Sequence, residues 1–95
     1  MIIYNVTIKI DTRVKDEWLK WMKDHHIPEV IDTGLFQGHK ICRLLDQDET
    51  EGVTYSIQYF CKSMTEYNTY QEKFAPKLQQ EHQAKYNNRF VAFKL

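Results

Sequence analysis

The residues of this chain with the chemistry to hold a metal, move a proton or attack a substrate are 4 histidines, 2 cysteines and one acidic loop. His25 and His26 are adjacent, and neighbours on a helix point ~100° apart, so the two cannot readily share one metal ion. Val14, Trp18, Trp21 and Met22 fall in one apolar stripe of that helix, and His25 falls with them. His25 therefore reads either as a pocket residue titrating near neutral pH or as a packed histidine bonded to a carbonyl at the helix end. His26 points aside, where its ring can complement the carboxyl end of the helix. His82 sits late on a second helix. If the two helices run antiparallel, His25 and His82 lie at opposite ends of a rod of ~20 Å, which excludes a site between them. His39 stands alone on a strand and reads as surface, so no metal site is expected.

The acidic run Asp46-Gln47-Asp48-Glu49-Thr50-Glu51-Gly52 does not complete a calcium loop. Such a loop needs glycine at its sixth position and glutamate at its twelfth, where this chain has Glu51 and Ile57. It reads as a solvated hairpin tip. Cys42 and Cys61 fall on neighbouring strands, but a loop centred near Thr50 sets Cys42 opposite a residue near Gln58, so a disulfide is not expected.

The elements that must position these groups follow from periodicity. Ile2 to Ile10 alternates, with Ile2, Tyr4, Val6, Ile8 and Ile10 on one side and Asn5, Thr7 and Lys9 on the other, which predicts a half-buried strand. Asp11 or Thr12 caps a helix reaching about Asp24, Pro28 ends it, because a proline pushes the residue before it out of helical geometry, and Pro28-Glu29-Val30-Ile31 starts a short second turn that stops at Gly34. Leu35 to Asp46 and Val53 to Cys61 predict two strands of a hairpin. Ser63-Met64-Thr65-Glu66 is a capping box for a second helix that turns Tyr67, Tyr70, Phe74, Leu78 and His82 inward, with a kink near Glu72 to Pro76. Arg89 to Leu95 closes the chain as an edge strand. The order β-α-β-β-α-β with right-handed crossovers predicts one α+β domain over residues 1–95. It is a ferredoxin-like sandwich whose four-stranded antiparallel sheet, in the order four, one, three, two, carries both helices on one face.

Composition narrows the function. Basic and acidic residues balance at 13 each, which removes the electrostatic footprint of a nucleic-acid or anionic-membrane binder. Gly52 to Phe60 also lacks the aromatic spacing of an RNA-binding sheet. No stretch is long and apolar enough to cross a bilayer. The first strand does not read as an export signal, so a cytoplasmic location with reduced cysteines is expected.

Several segments carry a resemblance: Asp16-Glu17-Trp18-Leu19-Lys20-Trp21-Met22 with His26-Ile27-Pro28-Glu29-Val30, then Leu44-Leu45-Asp46-Gln47-Asp48, Tyr55-Ser56-Ile57-Gln58-Tyr59-Phe60 and Arg89-Phe90-Val91-Ala92-Phe93. Together they resemble the DUF4286 family, small bacterial proteins without an assigned activity. The resemblance carries no reaction, so it transfers no catalytic residues, and it names no cofactor. More remotely, the element order and the Trp-rich first helix are similar to the dimeric α/β-barrel superfamily, which includes cofactor-free monooxygenases, haem-degrading enzymes, isomerases and stress-response proteins. Fold alone does not select among these.

The face of the sheet away from the helices carries Asn5, Thr7, Lys9, Thr54, Ser56 and Gln58 beside apolar Ile3 and Phe60. It is also joined by either Val91 and Phe93 or Phe90 and Ala92. A mixed face of this kind suits a homodimer built sheet to sheet, as in the dimeric α/β barrel. Two functions then stand open. One is a small-molecule-binding or interaction module without turnover. The other is a cofactor-free or haem-related oxygenase or isomerase. In either, Trp18, Trp21, Tyr59 and Phe60 would supply apolar walls, Asn5, Arg43 and Gln58 orientation, and His25 the titrating group. No nucleophile, base and orienter can be named together, which favours the module.

Overall fold

Alternation of apolar and polar residues makes β1 (Ile2–Asp11) and β3 (Gly52–Cys61) the two long strands. In the computed structural model, which describes residues 1–94, they pair antiparallel from Ile2 opposite Cys61 to Asp11 opposite Gly52. β2 (Gly38–Arg43) lies outside β3 and β4 (Phe90–Lys94) outside β1, so the sheet runs β2-β3-β1-β4. Read from the opposite edge, this is four, one, three, two. Directly paired residues share a face. Phe90 and Ala92 pair with Ile10 and Ile8 and so join the helix side, while Val91 and Phe93 pair with Lys9 and Thr7 and face away. β2 is shorter than the run Leu35 to Asp46 because the chain turns at Asp46, whose φ of 59° no strand can hold.

The first helix departs from expectation. Pro28 does not end it: α1 (Lys15–Trp21) passes through a π-helical turn, Met22–His26, into α2 (Ile27–Asp32). Proline lacks an amide hydrogen and crowds the carbonyl one turn back, so an α-helical ladder would break there. The wider turn, in which the Ile27 amide bonds the Met22 carbonyl, opens the ladder just before Pro28 and lets the rod continue to the left-handed Gly34, φ 80°.

The second helix is two segments, α3 (Met64–Lys73) and α4 (Ala75–Lys85), broken at Phe74. Pro76 falls in the first turn of α4, where its missing amide hydrogen leaves no bond unmade. The break turns Phe74 outward and buries Ala75 in its place, a correction to the expected inward stripe. At the start of α3 the Ser63 hydroxyl bonds the Glu66 carboxylate instead of capping a helix amide.

Trp18, Met22, Ile27 and Val30 from the first rod and Tyr70, Ala75, Leu78 and His82 from the second close over Tyr4, Ile8, Ile10, Tyr55, Ile57 and Tyr59 to form the core. Cys42 stands opposite Ser56, two positions from Gln58, and faces away from the helices, while Cys61 is buried beneath them; both are free. Among the described residues no helix is long and apolar enough to cross a membrane.

Candidate functional site: a histidine-walled cleft between helices and sheet

The π turn decides which histidine faces inward. A π turn holds about one residue more than an α turn, which shifts every later side chain by nearly one position, or ~100°. His26 therefore takes the inward place that an uninterrupted helix gives to His25, and His25 is exposed. The rod's continuation past Pro28 also removes the argument that kept the two helices' histidines apart. His26 lies in the middle of a long rod, and its ring centroid is 5.7 Å from that of His82.

The pair sits in an aromatic nest. Trp21 lies 5.1 Å from His26 and 5.8 Å from His82, Tyr86 is 5.7 Å from His82, and Phe90 of β4 meets His82 edge to face at 4.3 Å. Fully buried Trp18 donates its indole N–H to His82 Nε2 at 2.9 Å. An imidazole nitrogen that accepts cannot carry the proton, so neutral His82 holds its hydrogen on Nδ1. Tyr86 donates its hydroxyl to Glu17 at 3.1 Å, which ties the end of α4 to the start of α1. Burial lowers the pKa of His26 to about 4. Burial and, second, the charge His26 would carry lower that of His82 to about 4 as well. Both rings are neutral at neutral pH. His26 Nδ1 is buried and has no hydrogen-bond partner among the described residues.

His26 and His82 form part of the wall of a cleft of about 210 Å³ between the helices and the β1–β4 side of the sheet. Tyr4, Val6, Ile8, Ile57 and Tyr59 make its floor with Phe90 and Ala92, and Met22 and Tyr70 close it from above. Gln79, Gln83 and Ala92, all exposed, mark its mouth. Burial raises the Tyr59 and Tyr70 hydroxyls far above their ordinary values, so they stay neutral too. The wall contains no charged side chain.

A broader hollow of about 580 Å³ lies at the other end of β1. Three of its charged side chains pair with one another: Asp11 accepts from Arg13 at 2.8 Å and from Arg89 at 3.2 Å. Those contacts hold the Asp11 carboxyl well below the usual carboxylate range, with Arg13 the larger cause. Among the described residues no group of three or more histidine, cysteine or acidic side chains is placed to hold a metal.

The structure does not gather the residues singled out from the sequence at one place. Tyr59 lines the cleft. Trp18 and Trp21 pack behind the histidines and leave the lining to them. Asn5 and Gln58 face each other on the open side of the sheet, where Asn5 accepts from Ser56 at 2.5 Å and donates to Thr7 at 3.1 Å. Phe60, opposite Ile3, shares that face. Arg43 is bound to Glu49 of the hairpin tip, 3.0 Å from Nε. Sequence reasoning missed His26, His82 and Met22 as lining residues. The adjacent His25-His26 pair upstream of Pro28 was the available signal, since a proline inside a helical pattern invites a bulge.

An antiparallel four-stranded sheet with both helix pairs on one face, and a cleft between the layers, defines a ferredoxin-like α+β domain. The chain belongs to the family described as Domain of unknown function (DUF4286), which it matches over residues 1–95. No curated protein matches it. Its fold is similar to that of an ethyl tert-butyl ether D (EthD) family protein of Bacillus halodurans, with a TM-score of 0.67 at 8% identity over 100% of this chain and 97% of that one. It is also similar to a de novo designed ferredoxin-fold protein, with a TM-score of 0.55 at 18% identity over 99% and 85% of the two chains.

Proposed function

We propose that this protein is a binding module that takes a small, largely apolar molecule into the cleft between its helices and sheet. The observation that carries this reading is a cleft of about 210 Å³ walled by apolar and aromatic side chains and by the neutral rings of His26 and His82, with no charged side chain in its lining. Concave, mostly apolar pockets with a few converging polar groups are where small molecules bind. Recognition fits better than acid–base turnover. A proton acceptor works best with a pKa near the ambient pH, and these imidazoles are held at about 4.

The test uses the mouth. Ala92 lines the cleft from an exposed edge strand, so Ala92→Phe should obstruct entry while leaving the core intact. A compound found by thermal-shift screening of metabolites should lose about tenfold or more in affinity to this variant. Unchanged affinity places the compound elsewhere and overturns the cleft as the site.

The open face of the sheet supports a second element of the proposal, a homodimer formed sheet to sheet. Ile3, Val91 and Phe93 are exposed by 54%, 54% and 51% on this face. Asn5, Thr7 and Ser56 are hydrogen-bonded to one another at the centre, Thr54 and Ser56 are largely covered, and Lys9 and Lys40 flank them on the same face. Strand lengths and spacing give roughly 500 Å² per copy, or about 1,000 Å² in all, the lower bound of a specific interface. Light scattering at high micromolar concentration should return a dimer mass that Phe93→Glu reduces to a monomer. A monomer for the unaltered protein removes the dimer.

A further inference from the structure

We infer that the hollow at the Asp11 end of β1 is a second binding site, for a phosphate group, which Lys9, Arg13 and Arg89 hold. It shares only Phe90 with the cleft between helices and sheet, and it stands or falls independently of that cleft.

The carboxylate at the centre of the hollow has no capacity left. Asp11 Oδ1 accepts from the Arg13 amide at 2.8 Å and from its Nε at 3.1 Å, and Oδ2 accepts from Arg13 Nη2 at 2.8 Å and from Arg89 Nη1 at 3.2 Å. Two donors on each oxygen fill the lone pairs of a carboxylate. The arginines are not filled. Among the described residues Nη1 of Arg13 and both Nε and Nη2 of Arg89 have no protein partner. These groups are within reach of a ligand, since the Arg13 and Arg89 side chains are 79% and 44% exposed and that of Asp11 is 14% exposed. Asp11 thus fixes two guanidinium forks side by side and leaves their spare N–H groups in the hollow. The Arg89 main chain is fixed too, because its carbonyl accepts from the Asp11 amide at 2.8 Å.

Lys9 brings the third positive charge from another direction. Its stem crosses Gly52, where an added Cβ would stand 2.9 Å from Lys9 Cγ, so only glycine at this position lets the side chain lie across the end of β3. Among the described residues Lys9 enters no ion pair. The nearby Asp48 carboxylate is turned to the amide and hydroxyl of Thr50, at 3.0 and 2.6 Å. Besides saturated Asp11, the wall holds one further carboxylate, that of exposed Glu51. The hollow therefore has donors to offer and little to offer a cation.

The directions of those donors select phosphate over carboxylate. Lys9 comes from the β3 side, Arg89 from the β4 side and Arg13 from the turn after β1. A carboxylate presents two oxygens in one plane, whereas a phosphate presents its oxygens tetrahedrally and meets a guanidinium fork and an ammonium at once. The hollow is open to solvent, so a phosphate ester enters it as readily as free phosphate.

The probes are inorganic phosphate, phenyl phosphate and acetate, titrated at pH 7.5 and constant low ionic strength while the backbone amides are followed by NMR. Phosphate should move the amides of Thr12, Gly52 and Arg89, with acetate at least about tenfold weaker. Lys9→Met keeps the stem over Gly52 and breaks no ion pair, and it should weaken phosphate about tenfold. Arg89→Gln should weaken it as much. Should that variant disturb the sheet edge, Lys9→Met carries the test alone. Glu51→Gln removes a like charge from the rim and should tighten phosphate about twofold or more. Phenyl phosphate binding more tightly than phosphate assigns the site to a phosphate ester, and equal or weaker binding assigns it to free phosphate. Amides unmoved at about 10 mM phosphate, or an affinity unchanged in Lys9→Met, overturn the site. Acetate binding as tightly as phosphate overturns the selection for phosphate.

Discussion

Acidification from neutrality to about pH 4 should remove on the order of 5 kcal/mol of folding stability, from the burial of His26 and His82 alone. Both rings have their pKa lowered from 6.5 to about 4 in the folded protein. In the unfolded chain they return to the ordinary value. Between the two values the unfolded state binds protons that the native state refuses, so unfolding is favoured progressively as the pH falls through this window. Above it neither state is charged, and below about pH 4 the native rings accept protons as well, so this source of loss is exhausted. A displacement of this size is worth about 3 kcal/mol for one histidine. The Asp11 carboxyl, held low by Arg13 and Arg89, loses its contribution only as the pH falls further, below its ordinary value of 3.8. The histidine arm therefore precedes the carboxylate arm. Urea unfolding at stepped pH should show the midpoint falling steadily from about pH 6.5 downward, with the slope roughly halved in His26→Leu. A flat midpoint across that window would mean that the two rings are not desolvated.

What the sequence reveals and what it conceals divide along a physical line. The strands follow from side-chain alternation, because a two-residue period is rigidly tied to which face is covered; Ile2 through Ile10 gave the helix-facing side of β1 residue by residue. The polar outer face, with Asn5, Thr7, Ser56 and Gln58 together, follows from the same rule. Parity at β4 was open because Phe90, Val91, Ala92 and Phe93 are all apolar, and it took the pairing with Ile8 and Ile10 to decide it.

The site was hidden by a single inserted residue. Everything N-terminal to Met22 keeps the expected helical phase, and Trp18 is inward as expected; everything after the π turn is rotated, so His25 and His26 exchange roles. Pro28 reads as a terminator because its cost in an α-helix is real, yet local widening of the ladder relieves that cost. The meeting of His26 with His82 was further from reach, since it depends on how two rods 56 positions apart cross over the sheet, and no local pattern encodes that.

Trp18→Ala should be among the most damaging single substitutions in the chain, costing ~3–5 kcal/mol by lost transfer energy and the cavity left behind. Trp18 is fully buried, and its ring packs 5.4 Å from Tyr55 and 6.4 Å from His82, so few neighbours can collapse into the space. A second cost is specific to this site. The indole N–H is the donor that satisfies His82 Nε2, and its removal leaves that nitrogen buried and unpaired, worth about 1–3 kcal/mol more. Against a total of ~5–15 kcal/mol for a small domain, the variant should sit close to its unfolding midpoint at room temperature. Trp18→Phe weighs the two causes, because it keeps a six-membered ring, deletes the donor and leaves a smaller cavity than alanine does; it should cost less than Trp18→Ala but at least about 1–3 kcal/mol in urea unfolding. It should also shrink the acid-sensitive window. An N–H aimed at Nε2 must be displaced before that nitrogen can take a proton, so without it the pKa of His82 rises toward its ordinary value and less stability is lost on acidification. A loss below about 1 kcal/mol in Trp18→Ala would place the indole outside the core. An acid arm unchanged in Trp18→Phe would mean that the Trp18 indole does not govern the protonation of His82.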